Sequence, residues 1–190
     1  MKKLALGLVL VSGIAFGQVK KVVSSDVHWW GYKIAKSKAS SHDGTVNVQS
    51  GSITMKGKSI VGGQFVLDMT SINATDVQGE GQRKLNAHLK NGDFFEVDKY
   101  PTAVYKITSV KKNSGNKTYN FLVNGTLTAK GKTSPVSFPA SIVVAKDGSL
   151  TLTSDKFSFD RQKHDITYGS MLTDSVIKDD VDMTVKVVAK

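Results

Sequence analysis

The chain alternates apolar and polar side chains with a period of two over several stretches, and no other feature constrains its fold as much. Residues 63–69, 136–144 and 181–187 each place mainly apolar side chains on one face. Half-buried antiparallel strands show this alternation. Asp147-Gly148 separates two such runs and predicts a hairpin with a two-residue turn. The chain is therefore predicted to be all-β, and alternation alone does not separate a barrel from a sandwich.

Only residues 79–90 carry a convincing helical pattern, in which Leu85, His88 and Leu89 follow the spacing i, i+3, i+4. Gly92 ends this pattern, because glycine tolerates the left-handed backbone found at helix ends. Pro101 predicts an extended backbone at Tyr100 and the start of the next strand. One small helix cannot cover a broad open sheet, so a sheet that closes on itself buries its apolar face better.

The first 17 residues are predicted to be a cleaved signal peptide, which leaves residues 18–190 as one domain. Lys2 and Lys3 precede an apolar run at 4–11, and small residues at 15 and 17 suit a cleavage site. The apolar run is too short to span a bilayer. These features predict export to the periplasm. Because the chain has no cysteine, it has no disulfide, no thiol nucleophile and no cysteine-ligated metal.

Candidate catalytic and metal-binding patterns are weak. Residues 125–133 resemble a phosphate-binding loop, but five residues separate Gly125 from Gly131 where four are needed. The four histidines are dispersed along the chain without ligand spacing. Asp160-Arg161 is interpreted as structural, with Arg161 bridging a strand end to a carboxylate or to carbonyls. We therefore predict no catalytic residue, no metal site and no cofactor.

The net charge is +10 at pH 7, or +8 once Lys2 and Lys3 leave with the signal peptide. A soluble, charged surface is one interpretation, and it is favoured because the lysines are scattered along the sequence. Attraction to anionic lipid head groups or to a pyrophosphate is the alternative. Nucleic acid is not expected as a partner, since the chain is predicted to be exported and carries no nucleic-acid-binding motif.

Four ordered segments resemble the YceI-like family of bacterial polyisoprenoid-binding proteins. Residues 85–105 read LNAHLKNGDFFEVDKYPTAVY and are similar to that family's HL-x-x-x-DFF-x-V-x-x-YPT run. The other three are FVLDMTSINATD at 65–76, NGTLTAKGKTSPV at 124–136 and FDRQKHDITYGS at 159–170. The resemblance covers nearly the whole mature chain. It departs at 35–44, where AKSKASSHDG replaces the HxGVSxxxG pattern of many relatives.

The resemblance implies an extended, lipocalin-like barrel of eight antiparallel up-and-down strands with one short helix. It further implies a periplasmic carrier that holds a long-chain lipid, such as a polyisoprenoid or an isoprenoid quinone, in an apolar tunnel. Face assignment and resemblance together predict the tunnel-lining residues: Trp29, Phe65, Leu67, Phe94, Phe95, Tyr105, Phe121, Phe138 and Met171. A homodimer and a transient contact with a membrane surface are further expectations.

Two other functions stay open at this point. One is a non-catalytic envelope stress-response or protein-interaction module whose barrel is fully packed. The other is an envelope enzyme acting on lipids, for which His164, Asp160 and Arg161 would be the residues to test. A continuous void inside the barrel favours the carrier, and a filled core favours the module.

Overall fold

The structure is a computed structural model that describes residues 17–35, 40–169 and 175–190. Helix α1 spans Gly79–Lys90, as the sequence predicts, and a short 3-10 helix spans Arg161–His164. Of the predicted signal peptide, only Gly17 lies within the described residues. The strands are β1 (Gln18–Ala35), β2 (Ser40–Lys56), β3 (Ser59–Ala74), β4 (Thr102–Lys112), β5 (Phe121–Ala129), β6 (Lys132–Val144), β7 (Leu150–Ser154), β8 (Phe157–Asp160), β9 (Ser175–Ile177) and β10 (Asp180–Ala189).

Eight strands close into one antiparallel barrel. Strands β1 to β6 each pair with the next strand along the chain, and β10 pairs with β7 on one side and with β1 on the other. Closure places Val27 opposite Val185 and Trp29 opposite Met183. Strand β8 extends β7 along β10, and β9 pairs with the last residues of β1. The predicted eight-stranded up-and-down barrel is confirmed.

The hairpin at Asp147-Gly148 has a longer loop than predicted. Ala145 donates a backbone hydrogen bond to Ser149, so three residues form the loop rather than two. Gly148 has a φ of +81° and accepts the left-handed conformation without the penalty that a side chain would add. This is the three-residue hairpin in which a type I turn is followed by a left-handed residue.

Helix α1 connects β3 to β4 and lies at one end of the barrel. Its Asn86 side chain accepts a hydrogen bond from the Ala74 backbone at 2.8 Å and donates to the Asn73 side chain at 2.7 Å. Leu89 is its buried contact with the interior. We call this the mouth end. The lower end is the opposite one, where the chain turns at 57–58, 113–120 and 145–149.

Tyr105 anchors the packing of the lower half of the barrel. Its hydroxyl donates to the Val136 carbonyl at 3.0 Å. A Cβ at Gly125 would lie 2.4 Å from the Tyr105 ring, so only glycine leaves room for it. Burial raises the pKa of Tyr105 well above its usual range, which keeps the phenol protonated and able to donate.

Candidate functional site

Three cavities follow one another from the mouth end into the barrel. The mouth cavity has a volume of about 480 Å³, the middle cavity about 100 Å³ and the inner cavity about 60 Å³. The mouth and middle cavities share the lining residues Trp29, Gly31, Leu89, Phe94 and Ile177. The middle and inner cavities share Leu67, Leu127, Phe159 and Met183. The shared walls show that the cavities lie in line along the barrel interior.

The structure brings most of the predicted tunnel residues to these cavities. Trp29 and Phe94 line the mouth and middle cavities, and Phe95 lines the middle one. Leu67 lines both deeper cavities, whereas Phe65, Tyr105 and Phe138 line the inner one. Alternation explains this result, since each of these strand residues points inward from its own strand. Contact of these side chains with a ligand stays a prediction.

Two of the predicted residues are not placed at a cavity. Phe121 is the first residue of β5 and pairs with Ala140 and Lys112 near the lower end. It contacts none of the three cavities, because the fully buried Val123 lies above it on the same face. Met171 lies outside the described residues.

Sequence reasoning missed three of the four residues that separate the middle cavity from the inner one. Leu127, Phe159 and Met183 form this constriction, together with Leu67. Met183 belongs to the alternating run at 181–187, and that run was the available signal. Nothing in the run indicates that β10 closes the barrel beside β1. The position of Met183 at the constriction could therefore not be predicted from the sequence.

The mouth cavity combines apolar walls with basic and hydroxyl groups. Lys33, His42, His88 and Tyr168 are among its described lining residues, and none of the described lining residues is a carboxylate. The His42 Nδ1 lies 2.8 Å from Asp76, and the His88 Nδ1 lies 3.0 Å from Asp93. Because each Nδ1 points to a carboxylate, it carries the proton. The mouth therefore offers a lysine ammonium and two orientated imidazoles beside an apolar entrance.

The Asp76 carboxylate is held ionised at the mouth. Burial alone would raise its pKa, but hydrogen bonds from the His42 side chain and the Asp43 backbone outweigh burial and lower it. The folded-state pKa therefore lies below the unfolded value of 3.8. A carboxylate of this kind stabilises the fold above its unfolded pKa, and the contribution is lost as the pH falls through the folded value.

Replacing Asp76 with asparagine tests that linkage. We expect a loss of about 1 kcal/mol in the free energy of unfolding near pH 7, which shrinks towards zero near pH 2. Urea unfolding of both proteins at the two pH values measures the difference. As a control, Asp68→Asn alters a half-buried carboxylate that accepts hydrogen bonds from the Thr70 backbone N–H and the Thr70 hydroxyl. A penalty for Asp76→Asn that is unchanged near pH 2 would contradict the assignment.

Arg161 is buried beneath the mouth, where its hydrogen bonds join the segment after the 3-10 helix to the end of β9. It donates to the Lys178 carbonyl at 3.0 Å, to the Ile177 carbonyl at 3.0 Å and to the Ile166 carbonyl, and it lies 3.3 Å from Asp179. Burial lowers its pKa, and the nearby Asp179 opposes that shift. The bridging role predicted for Arg161 is confirmed.

Both ring nitrogens of His164 are also hydrogen-bonded within the protein. Its Nδ1 lies 2.9 Å from the Lys132 carbonyl, which can only accept, so Nδ1 carries the proton. Its Nε2 then accepts from the Ser134 hydroxyl at 2.9 Å.

Three residues were considered for a lipid-modifying enzyme. His164 and Arg161 have their polar atoms bound by the protein itself, and the Asp160 carboxylate accepts from the Gln162 backbone N–H at 2.9 Å. Among the described residues, no three histidine, aspartate or glutamate side chains lie close enough together to hold a metal ion.

No helix in the described part of the chain is both long and apolar enough to cross a bilayer.

Comparison with known proteins assigns the chain to a family. The model of the YceI-like domain matches residues 19–189. A UPF0312 protein of Pseudomonas aeruginosa is 39% identical over 56 residues, which are 30% of this chain and 27% of that protein. Protein YceI of Escherichia coli is 34% identical over 73 residues, which are 38% of this chain and 36% of that protein. The matched segments thus span well under half the length of these curated relatives.

Solved structures show the same fold. A polyisoprenoid binding domain from Saccharophagus degradans superposes with a TM-score of 0.60 at 13% identity, covering 90% of this chain and 97% of that one. Burkholderia cenocepacia BcnA gives a TM-score of 0.59 at 19% identity, covering 87% and 96%. At these identities the likeness establishes the fold alone. With a family model that spans almost all of the described residues, this chain belongs to the YceI-like domain family.

Proposed function

We propose that the protein is a periplasmic carrier that sequesters a long-chain amphiphilic lipid, of the polyisoprenoid or isoprenoid-quinone class, and does no chemistry on it. The observation that carries this proposal is the line of three cavities running from an open mouth into an apolar barrel interior. The polyisoprenoid-binding relative of the same fold supports the ligand class. The signal-peptide pattern of the first 17 residues supports the location.

Apolar burial supplies the driving force for binding the tail. Each methylene moved from water into the barrel contributes about 0.8 kcal/mol. The middle and inner cavities are small beside the 300–1,000 Å³ typical of ligand sites. A long tail must therefore displace side chains at the constriction formed by Leu127, Phe159 and Met183. Methionine suits such a position, because its unbranched side chain adapts to irregular shapes.

The mouth is suited to the polar head of the same molecule. Lys33 provides positive charge at the entrance, and Tyr168 provides a hydroxyl. His42 and His88 each direct Nδ1–H to a carboxylate, so a neutral imidazole at either position offers Nε2 as a hydrogen-bond acceptor. His88 is held between aromatic rings, with centroid distances of 4.5 Å to Tyr168 and 5.0 Å to Phe94. An amphiphile placed with its tail inward would bring its head group beside these side chains.

A packed interaction module is the second candidate, and the lower half of the barrel favours it. Val123, Leu150 and Leu152 are at most 1% exposed, and the inner cavity is only about 60 Å³. If the constriction never opens, the usable space is the mouth cavity and the middle cavity. Such a protein would present its surface to another envelope protein rather than hold a tail.

Mass spectrometry under native conditions separates the two candidates. The purified protein is stripped of lipid and then mixed with prenyl alcohols, prenyl phosphates and fatty acyl amphiphiles of increasing chain length. We expect one ligand per barrel, with affinity that rises as each isoprene unit is added and then reaches a plateau. Short-chain homologues with the same head groups serve as controls. A protein that stays empty with every amphiphile would contradict the carrier and favour the packed module.

A further inference from the structure

The positive charge of the protein is concentrated at its lower end. Segments 18–21, 56–59, 111–120 and 145–148, together with Lys190, contain nine lysines and one carboxylate side chain, Asp147. The rest of residues 18–190 holds fifteen basic and fifteen acidic side chains. Lysines that are scattered along the sequence are therefore gathered in space, because the hairpin turns, the start of β1 and the end of β10 meet at one end of the barrel. The whole net charge of +8 lies there.

Exposed aliphatic side chains accompany these lysines. Val19, Val23, Val61 and Val143 point outward near the lower end and are 50–58% exposed. Strand pairing sets Val19 beside Thr54 of β2 and Val143 beside Thr151 of β7. The mouth end also exposes Ile34, Tyr168 and Val176, but the charges outside the lower end are balanced. The two ends of the barrel thus differ in charge rather than in apolar exposure.

Lysines interleaved with aliphatic side chains match the surface of an anionic bilayer. Each lysine near such a surface is worth about a fivefold gain in binding, and small apolar side chains insert at the head-group boundary. The arginine forks that favour nucleic acid are absent from these segments, since their basic side chains are all lysines.

We propose that the lower end of the barrel docks on the anionic head groups of a phospholipid bilayer and leaves the mouth facing away from it. Ile53, Leu150 and Ala189 are fully buried and close the barrel at that end. A docked barrel would therefore exchange its contents through a mouth that stays open to solvent or to a second protein. Docking is independent of what the cavities hold.

Vesicle sedimentation with matched charge variants tests the proposal. The purified protein is mixed with vesicles of phosphatidylcholine alone or of phosphatidylcholine with one quarter phosphatidylglycerol. Lys58→Gln, Lys111→Gln and Lys117→Gln together remove three exposed charges from the lower end. Lys84→Gln, Lys99→Gln and Lys163→Gln remove three from the mouth end, where the lysines are 59–77% exposed. Both triple variants carry the same net charge.

We expect binding to the phosphatidylglycerol vesicles alone, weakening as salt is added, and a loss of about a hundredfold for the lower-end variant. The mouth-end variant should bind within about threefold of the unmodified protein. Equal losses for the two variants would overturn the proposal, as would binding that is insensitive to salt. Because these vesicles contain no prenyl lipid, the outcome is separate from that of the native mass spectrometry.

The valines distinguish a bilayer from other partners. Val61→Ser with Val143→Ser should weaken vesicle binding several-fold and leave binding to a single-stranded oligonucleotide unchanged. No effect on vesicles, with tight oligonucleotide binding, would indicate a soluble polyanion and overturn the proposal. Loss of vesicle binding on Ile34→Ser with Val176→Ser would place docking at the mouth and overturn it too.

Discussion

Replacing Arg161 with alanine is expected to lower the midpoint temperature of thermal unfolding by about 10–15 °C. The guanidinium is 1% exposed and donates to three backbone carbonyls, those of Ile166, Ile177 and Lys178. Its removal takes the guanidinium donors away from these three carbonyls and the positive charge away from Asp179, which then keeps only the Gln162 amide as a described side-chain donor. Breaking a buried, hydrogen-bonded charge network of this kind costs about 3–5 kcal/mol.

Two further variants make this prediction specific. Arg161→Lys keeps the charge but cannot reach three carbonyls at once, since an ammonium lacks the planar fork of a guanidinium, so an intermediate loss is expected. Arg83→Ala removes an exposed arginine from α1 and should change stability by less than about 0.5 kcal/mol. Differential scanning calorimetry of the three variants measures the effect. An Arg161→Ala protein that melts within about 2 °C of the unmodified one would show that the network contributes little.

Replacing Ala103 with phenylalanine is expected to weaken lipid binding by about a hundredfold. Ala103 is 3% exposed, pairs with Leu67 and lines the middle cavity, whose volume is about 100 Å³. A benzyl group there would take the space of about four tail methylenes, and at about 0.8 kcal/mol each the lost burial is about 3 kcal/mol. Titration with a prenyl lipid, followed by native mass spectrometry, gives the ratio of dissociation constants.

The neighbouring residue provides the matched control. Val104 precedes Tyr105 on the same strand and faces outward, so Val104→Phe adds an aromatic ring without entering a cavity. Overpacking by Ala103→Phe should itself cost about 1–3 kcal/mol of stability, so binding is compared well below both unfolding midpoints. Ala129→Leu fills the same cavity from β5 and should act in the same direction. Undiminished binding by both filled variants would show that the tail does not occupy the middle cavity.

The local elements were predictable because local rules fix them. Alternation identified the inward faces of β3, β6 and β10, and the helical spacing at 79–90 gave α1 with its observed bounds. The same alternation placed Leu67 and Phe138 in the interior. It did not decide between a barrel and a sandwich, and the resemblance of residues 85–105 and three other segments to a known family supplied that choice.

The sequence by itself determined which residues form strands, which face of each strand is apolar and where the helix lies, because these depend on side chains close together along the chain. Only the tertiary structure decided the rest. Closure pairs Val27 with Val185, and this contact between distant residues excludes an open sheet. Packing of Leu127, Phe159 and Met183 sets the width of the interior, and the closed barrel brings separate hairpin turns, with their lysines, to one end. Cavity shape and surface charge arise between elements, and no local pattern encodes them.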